Sequence, residues 1–347
     1  MLYFTTYFDK NYLSRGLAMY HSLKENTDGF QLYVLCLDDE TAAYFLDNNS
    51  IYPEVVTLTT ADIELQDTKL ALSKTNRSKV EYYFTLSPCL PLYLLKKFQL
   101  PHICSLDADI LFLSSPTPIF DALKNYSVII TPHKFSREIT ELELYGKFNV
   151  SFQIFKNDET GIACLEHWRT KCLEWCGDVY DEKQDRFADQ KYLDNWETLF
   201  PNKVKSLNDN VSGIAPWNLN NYQLTSKDGK FYSYGKPIIF YHFHHFKLLQ
   251  THVASNGFYF YKAKPNKVLN KLYLNYWNQL IAIEIKLGFK KEKDIIRRTH
   301  LSGNQNLIIK LNDEGSAFLK FGKSIIIFAD FQKLSGRFLK FICRIYA

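Results

Sequence analysis

Short apolar runs alternate with amphipathic stretches through the N-terminal half of the chain, and this alternation narrows the fold more than any other feature. It is the pattern of βα units feeding a largely parallel sheet. Leu2 to Thr6 reads as a first strand, and Tyr12 to Glu25 as a helix whose Leu13, Leu17, Tyr20 and Leu23 share one face. Gln31 to Leu37 gives a second strand. Asp38-Asp39 then starts a helix over Thr41 to Leu46, and Val55 to Leu58 gives a third strand. The expected class is α/β.

From Ser73 to Lys97 the pattern is helical but carries Pro88 and Pro91, so two helices meeting at a bend are expected. His102 to Leu106 is an apolar run that ends in Asp107-Ala108-Asp109, and apolar character resumes over Ile110 to Leu113. Val128 to Thr131 and Phe148 to Phe155 read as further strands. Asp158 to Cys176 reads as a long helix capped by Asp158, and Asp185 to Trp196 as another. Asp228-Gly229 marks a hairpin, and Pro237 to Tyr241 a strand that runs into His242-Phe243-His244-His245. Beyond Asn256 the chain turns Lys-rich, with a helix over Leu269 to Leu287. A boundary near 255 divides a domain 1–255 from a basic extension 256–347.

With 347 residues, 46% of them hydrophobic, the chain can bury a large core, and disordered or fibrous classes are excluded. A net charge of +5 is too mild for a dedicated nucleic-acid binder, so no nucleic acid is expected. Seven cysteines form no CxxC pair, and Cys164, Cys172 and Cys176 read as reduced core thiols. The start lacks the flank and long apolar run of a signal peptide, and no run of about 18 apolar residues occurs, so a cytoplasmic location is expected.

Two clusters could carry chemistry. Asp107 and Asp109 are two apart, so in an extended segment both carboxylates point to one side and can grip a hard cation, Mg²⁺ or Mn²⁺. Such a metal neutralises the charge of a bound diphosphate, and open α/β sheets bind ligands at their strand ends. His242, His244 and His245 follow another buried strand, and a neutral imidazole suits the same metal. Asp189-Gln190 and the Lys74, Arg77, Glu81 stripe lie at spacings that fit either exposed helix faces or ligand contacts. Trp217 fits a stacking platform or a buried core residue. P-loop, dinucleotide and nucleophile-elbow motifs are absent.

At these residues the chain resembles GT-A fold, nucleotide-diphospho-sugar-dependent glycosyltransferases, similar to glycosyltransferase family eight and its bacterial surface-polysaccharide relatives. Thr5-Thr6, Asn11 to Leu17, Lys74-x-x-Arg77, Leu106 to Asp109, Phe148 to Ser151, Asp189-Gln190 and Tyr241 to Phe243 carry the resemblance, from residue 1 to about 250. It implies that Thr5, Thr6, Tyr7 and Asp38 lie by the nucleobase and Arg77 near the donor, and that Asp107 and Asn149 are among the donor-binding residues. It further implies that Asp107, Asp109 and His242 hold Mn²⁺ or Mg²⁺, with His244 as second choice, and that Asp189 and Gln190 face the sugar and acceptor. The family has Gly where Ser151 stands, and its HxxGxxK pattern is not reproduced.

The implied activity is transfer of a sugar from a nucleotide-diphosphate donor, a UDP-sugar first, with retention, to a glycan or lipid-linked glycan in surface-polysaccharide synthesis. A second reading is a sugar-nucleotide or glycan binder without turnover, and a third is a metal-dependent phosphohydrolase. The basic, aromatic-rich segments Phe318 to Phe328 and Phe338 to Ile345 suit peripheral contact with an anionic membrane, or a small capping subdomain.

Overall fold

The computed structural model of the chain describes residues 1–250 and 253–288 and the strands Leu307–Ile309, Phe318–Phe321 and Ile325–Phe328. It divides into two compact units, Met1–Ile214 with Tyr222–His242, and Ala215–Asn221 with the chain from Phe243 onward. Residues 243–255, which the sequence reading puts in the first domain, belong to the second unit.

The first unit is α/β, as expected. In chain order its strands are β1 (Leu2–Phe8), β2 (Phe30–Cys36), β3 (Val55–Thr59), β4 (His102–Leu106), β5 (Ile110–Phe112), β6 (Val128–Pro132), β7 (Phe148–Lys156) and β8 (Val204–Ser206). Seven of these make one sheet in the order β3-β2-β1-β4-β7-β6-β8, with β7 antiparallel to both neighbours and every other pair parallel. Phe4, Val34, Ile103, Ile129 and Ile154 are fully buried, because a sheet covered on both faces needs near-continuous apolar strands.

Helices α1 (Leu13–Asn26) and α2 (Asp39–Asp47) connect the first strands. The Asp38 carboxylate caps α2 by accepting from the Thr41 amide at 2.9 Å. Short helices α3 (Thr60–Glu64) and α4 (Thr68–Ser73) precede α5 (Lys79–Phe98), which Ser78 and Glu81 open with a capping box. Here the structure corrects the expected bend, since α5 runs unbroken through Pro88 and Pro91. Each proline removes one helical amide donor. Eleven of the twenty residues are buried, both prolines among them, and that packing against the sheet holds the helix together. The polar stripe Lys74-Arg77-Glu81 is likewise not one helix face. Lys74 ends α4 and pairs with Glu64 at 2.9 Å, whereas Arg77 lies in the link.

After α6 (Thr117–Phe120), α7 (Glu159–Glu174) is capped by Asp158, which accepts from the Gly161 amide at 2.9 Å. Trp168 of α7 meets Trp196 of α8 (Trp196–Leu199) edge to face at 5.3 Å, both fully buried. The six described cysteines are free and buried. The helix expected over Asp185 to Trp196 does not form. Asp185 and Ala188 take left-handed φ values of 48° and 46°, and only Lys191–Asn195, a 3₁₀ turn, and α8 are helical. The Trp168 indole donates to the Asp189 carbonyl at 2.8 Å, using a group that a continuing helix would need.

Strands β9 (Leu224–Lys227), β10 (Lys230–Ser233) and β11 (Lys236–Pro237) form the expected hairpin, with Asp228 and Gly229 at φ 50° and 77° as a type I′ turn requires. Strand β12 (Phe240–His242) pairs antiparallel with β5.

In the second unit α9 (Lys267–Lys286) is capped by Asn266 and buries Leu269, Leu272, Tyr273, Tyr276, Trp277 and Leu280. Phe243 stacks on Tyr276 with ring centroids 3.8 Å apart. Strands β13 (Lys247–Gln250), β14 (Val253–Ser255) and β15 (Leu307–Ile309) form one sheet, and β16 (Phe318–Phe321) pairs with β17 (Ile325–Phe328). Phe338 to Ile345, half of the expected membrane-contacting tail, lies outside the described residues. No helix among the described residues is long and apolar enough to cross a membrane.

Candidate active site

Asp107-Ala108-Asp109 is the turn that joins β4 to β5. The Asp107 amide donates to the Ser151 carbonyl of β7 at 2.9 Å, which fixes where the turn begins. Pairing of β5 with β12 sets His242 opposite Ile110, next in chain to Asp109. Three ligand atoms of Asp107, Asp109 and His242 therefore lie within 4.8 Å of one another. The His242 Nε2 stands 2.9 Å from Asp109 Oδ1 and 3.5 Å from Asp107 Oδ2. His242 is 4% exposed, Asp109 13% and Asp107 39%, so the cluster opens on the Asp107 side.

The electrostatics of this cluster suit a cation. Its enclosed setting raises the Asp107 carboxyl above the usual carboxylate range; the imidazole of His242 works against that rise and the Asp109 charge adds to it. Burial alone would lower His242, yet Asp109 and then Asp107 hold it above the usual histidine range. Two carboxylates side by side, that of Asp109 mostly buried, are costly without a positive partner. Two hard oxygens and one imidazole nitrogen fit Mg²⁺ or Mn²⁺.

Next to this turn, β1 brings Thr5, Thr6 and Tyr7 to the same end of the sheet. Thr5 and Thr6 are buried, and among the described residues their hydroxyls have no hydrogen-bond partner. The same holds for the amide nitrogen of buried Asn149 on β7, whose Oδ1 accepts from the Ser151 amide at 3.1 Å and the Ser151 hydroxyl at 2.5 Å. Unmatched buried polar atoms also occur elsewhere among the described residues, as at Trp196; those of Thr5, Thr6 and Asn149 stand where a ligand or water can complete the bonding.

Asp189 sits in the turn after Ala188, 2% exposed. Its carboxylate accepts from the Ser87 hydroxyl of α5 at 2.5 Å, and the Tyr7 hydroxyl lies 2.9 Å from Ser87. Burial pushes Asp189 up to about 6, with the Ser87 hydrogen bond pulling it back. Gln190 donates its amide to the Tyr145 carbonyl at 2.8 Å.

The structure thus gathers Asp107, Asp109 and His242, and links Tyr7 to Asp189. Asp38 is occupied as a helix cap and also accepts from the Lys10 amide at 3.0 Å. Arg77 donates to the Leu173 carbonyl at 2.6 Å and to the Thr85 hydroxyl, bracing the start of α5 against α7. His244 packs on Trp217 and Tyr261 with centroids 5.2 and 5.9 Å away, and Trp217 is buried. Sequence reasoning missed Ser87. The available signal was a hydroxyl on the apolar face of a core helix, where leucine would otherwise be expected.

No protein-family model matches the chain. The uncharacterized protein YfnD of Bacillus subtilis strain 168 is 31% identical over 278 residues, 79% of this chain and 87% of that protein. The uncharacterized protein YfnF of the same organism is 30% identical over 255 residues, 71% of this chain and 82% of that protein. Among solved structures, the galactosyltransferase LgtC in complex with donor and acceptor sugar analogs superposes over 81% of this chain and 95% of its own, at 13% identity and a TM-score of 0.49. The glycosyltransferase GlyE of Streptococcus pneumoniae TIGR4 does so over 83% and 64%, at 12% identity and a TM-score of 0.48.

Proposed function

The chain belongs to the family of YfnD and YfnF, and we propose that it is a metal-dependent glycosyltransferase of GT-A type that takes a sugar from a nucleotide-diphosphate donor, a UDP-sugar first. The observation that carries this reading is the gathering of Asp107, Asp109 and His242 at the ligand-binding end of an open α/β sheet. The unmatched hydroxyls of Thr5 and Thr6 and the unmatched amide of Asn149 add support.

In this proposal Asp107, Asp109 and His242 hold Mn²⁺ or Mg²⁺, and the bound ion supplies positive charge against the departing diphosphate. Thr5, Thr6, Tyr7 and Asp38 border the nucleoside, with Arg77 on the donor side, and Asn149 addresses the sugar. Asp189, fixed by Ser87, places negative charge where the sugar carbon becomes positive, in keeping with retention by front-face substitution. Gln190 stands beside it toward the acceptor. The acceptor class, a glycan or lipid-linked glycan of surface-polysaccharide synthesis at the cytoplasmic face of a membrane, follows from the family resemblance.

A second reading, a sugar-nucleotide binder without turnover, draws on Ser151, whose hydroxyl occupies the Asn149 Oδ1. Incubation with Mn²⁺ and a panel of nucleotide sugars, following nucleotide release and sugar transfer, separates the two. Release from one donor, abolished in Asp109→Asn, is the expected result. Nucleotide binding without release favours the binder, and phosphate release from simple phosphoesters would replace both with a hydrolase.

A further inference from the structure

Tyr7 is the next-to-last residue of β1, and alternation along the strand sends its ring away from that of Phe8. Phe8 meets Phe45 of α2 with ring centroids 6.3 Å apart, whereas Tyr7 packs with the core on the opposite face, where α5 and α7 lie. There the Tyr7 hydroxyl is 2.9 Å from the Ser87 hydroxyl, and Ser87 donates to Asp189 Oδ2 at 2.5 Å. Ser87 and Asp189 are both buried, so this chain of bonds runs inside the protein.

Ser87 departs from the habit of hydroxyls on helices. Thr85, two residues earlier on α5, donates to the Glu81 carbonyl one turn back at 2.8 Å, the ordinary partner of a helical serine or threonine. The matching acceptor for Ser87 is the Tyr83 carbonyl, and Ser87 forgoes it for Asp189. Two things hold it there. The Asp189 charge attracts the proton, and the Tyr7 hydroxyl donates to the Ser87 oxygen, which strengthens the bond Ser87 gives onward.

Asp189 has no basic partner among the described residues. Its carboxylate is met by the Ser87 hydroxyl and by the amides of its own residue and Gln190. The titratable groups that face Asp189 and Tyr7 are an acid and two thiols: Asp107 of the β4–β5 turn, and Cys172 and Cys176 at the end of α7. None of them offers a positive charge, so the orientation of one serine decides how well the Asp189 charge is held.

We propose that Tyr7 is a positioning residue for Asp189: its hydroxyl locks Ser87 in the orientation that gives a proton donor to the carboxylate beside the sugar. This role is separate from the nucleoside contact that the family resemblance implies for Tyr7, and it rests on the glycosyltransferase reading above. Phe at this position keeps the ring and frees Ser87 to turn back to the Tyr83 carbonyl.

The test is Tyr7→Phe in the wild-type and Ser87→Ala backgrounds of the full chain, with Mn²⁺ and a panel of UDP-sugars, read as UDP release across pH. In the wild-type background kcat should fall about five- to tenfold while the donor KM stays within about twofold. The acidic limb of the kcat profile should move up by about half a pH unit, because the ionised carboxylate loses support. In the Ser87→Ala background the same substitution should change neither. A raised KM with unchanged kcat would return the hydroxyl to the nucleoside, and equal effects in both backgrounds would reduce Tyr7 to packing; either result overturns the relay. The Asp189 titration, followed by carboxyl ¹³C NMR and assigned through Asp189→Asn, needs no turnover. Its midpoint should rise in Tyr7→Phe, and an unchanged midpoint overturns the relay. Absence of UDP release from every donor by the wild type, with that midpoint shift intact, refutes the glycosyltransferase reading alone.

Discussion

The Ser87 hydroxyl donates a 2.5 Å hydrogen bond to the Asp189 carboxylate across 102 positions of chain. Because Ser87 spends its proton on Asp189, the Tyr7 hydroxyl, 2.9 Å away, must donate to Ser87 while Asp189 is ionised. The end of the first strand and the Asp189 turn are therefore joined through one helix residue. Ser87→Ala leaves a buried carboxylate short of a donor, and a loss of about 2 kcal/mol in urea unfolding is expected. Sugar transfer should fall further than this destabilisation explains, while UDP binding persists. A change below about 0.5 kcal/mol would mean that water replaces the hydroxyl without cost.

Asp189 also sets a pH dependence. Its carboxyl is raised to about 6 in the folded chain by burial, against about 3.9 when unfolded. Between those values the native state binds the proton more tightly, so this group's contribution to stability falls as pH rises through the window and is level above it. Asp189→Asn removes that fall. Relative to wild type the variant should gain about 2–3 kcal/mol between about pH 4 and pH 7, read from urea midpoints across pH. Parallel curves for the two proteins would contradict the assignment.

At the start of α7, a Cβ on Gly161 would stand 2.0 Å from the Lys156 carbonyl oxygen. Helix propensity alone would favour Gly161→Ala. The clash dominates instead, and a loss of about 3 kcal/mol in thermal or urea unfolding is expected.

Arg169 and Asp67 make a two-pronged ion pair at 2.6 and 2.5 Å between α7 and the N-terminus of α4. Asp67 also caps α4 through the Leu70 amide at 3.1 Å. Arg169→Ala leaves a mostly buried carboxylate without its partner, for an expected loss of about 3 kcal/mol. Asp67→Asn, which keeps the cap, should cost less. A negligible cost in both variants, each of which keeps the cap, would assign the stabilisation by Asp67 to capping.

Much of this was legible in the sequence for physical reasons. A buried strand must be apolar, so Asp107, Asp109 and His242 stand out where the apolar runs His102–Leu106 and Phe240–Tyr241 stop. Caps announce themselves locally, as at Asp38 and Asp158. The continuity of α5 through Pro88 and Pro91 was not legible, because core packing that local rules do not see outweighs two missing amide donors. Nor was the turn at Asp189, where a bond from the distant Trp168 indole overrides a helical pattern. Ser87 escaped for the same reason, since both its partners lie at least 80 positions away.

The most direct test of the central claim is the thermal stability of the wild type and Asp109→Asn with UDP, with and without Mn²⁺. The account predicts stabilisation of the wild type by UDP and Mn²⁺ together, larger than with either alone, and its loss in the variant. Stabilisation of both proteins alike, or of neither, would contradict a nucleotide-diphosphate site built on Asp107, Asp109 and His242.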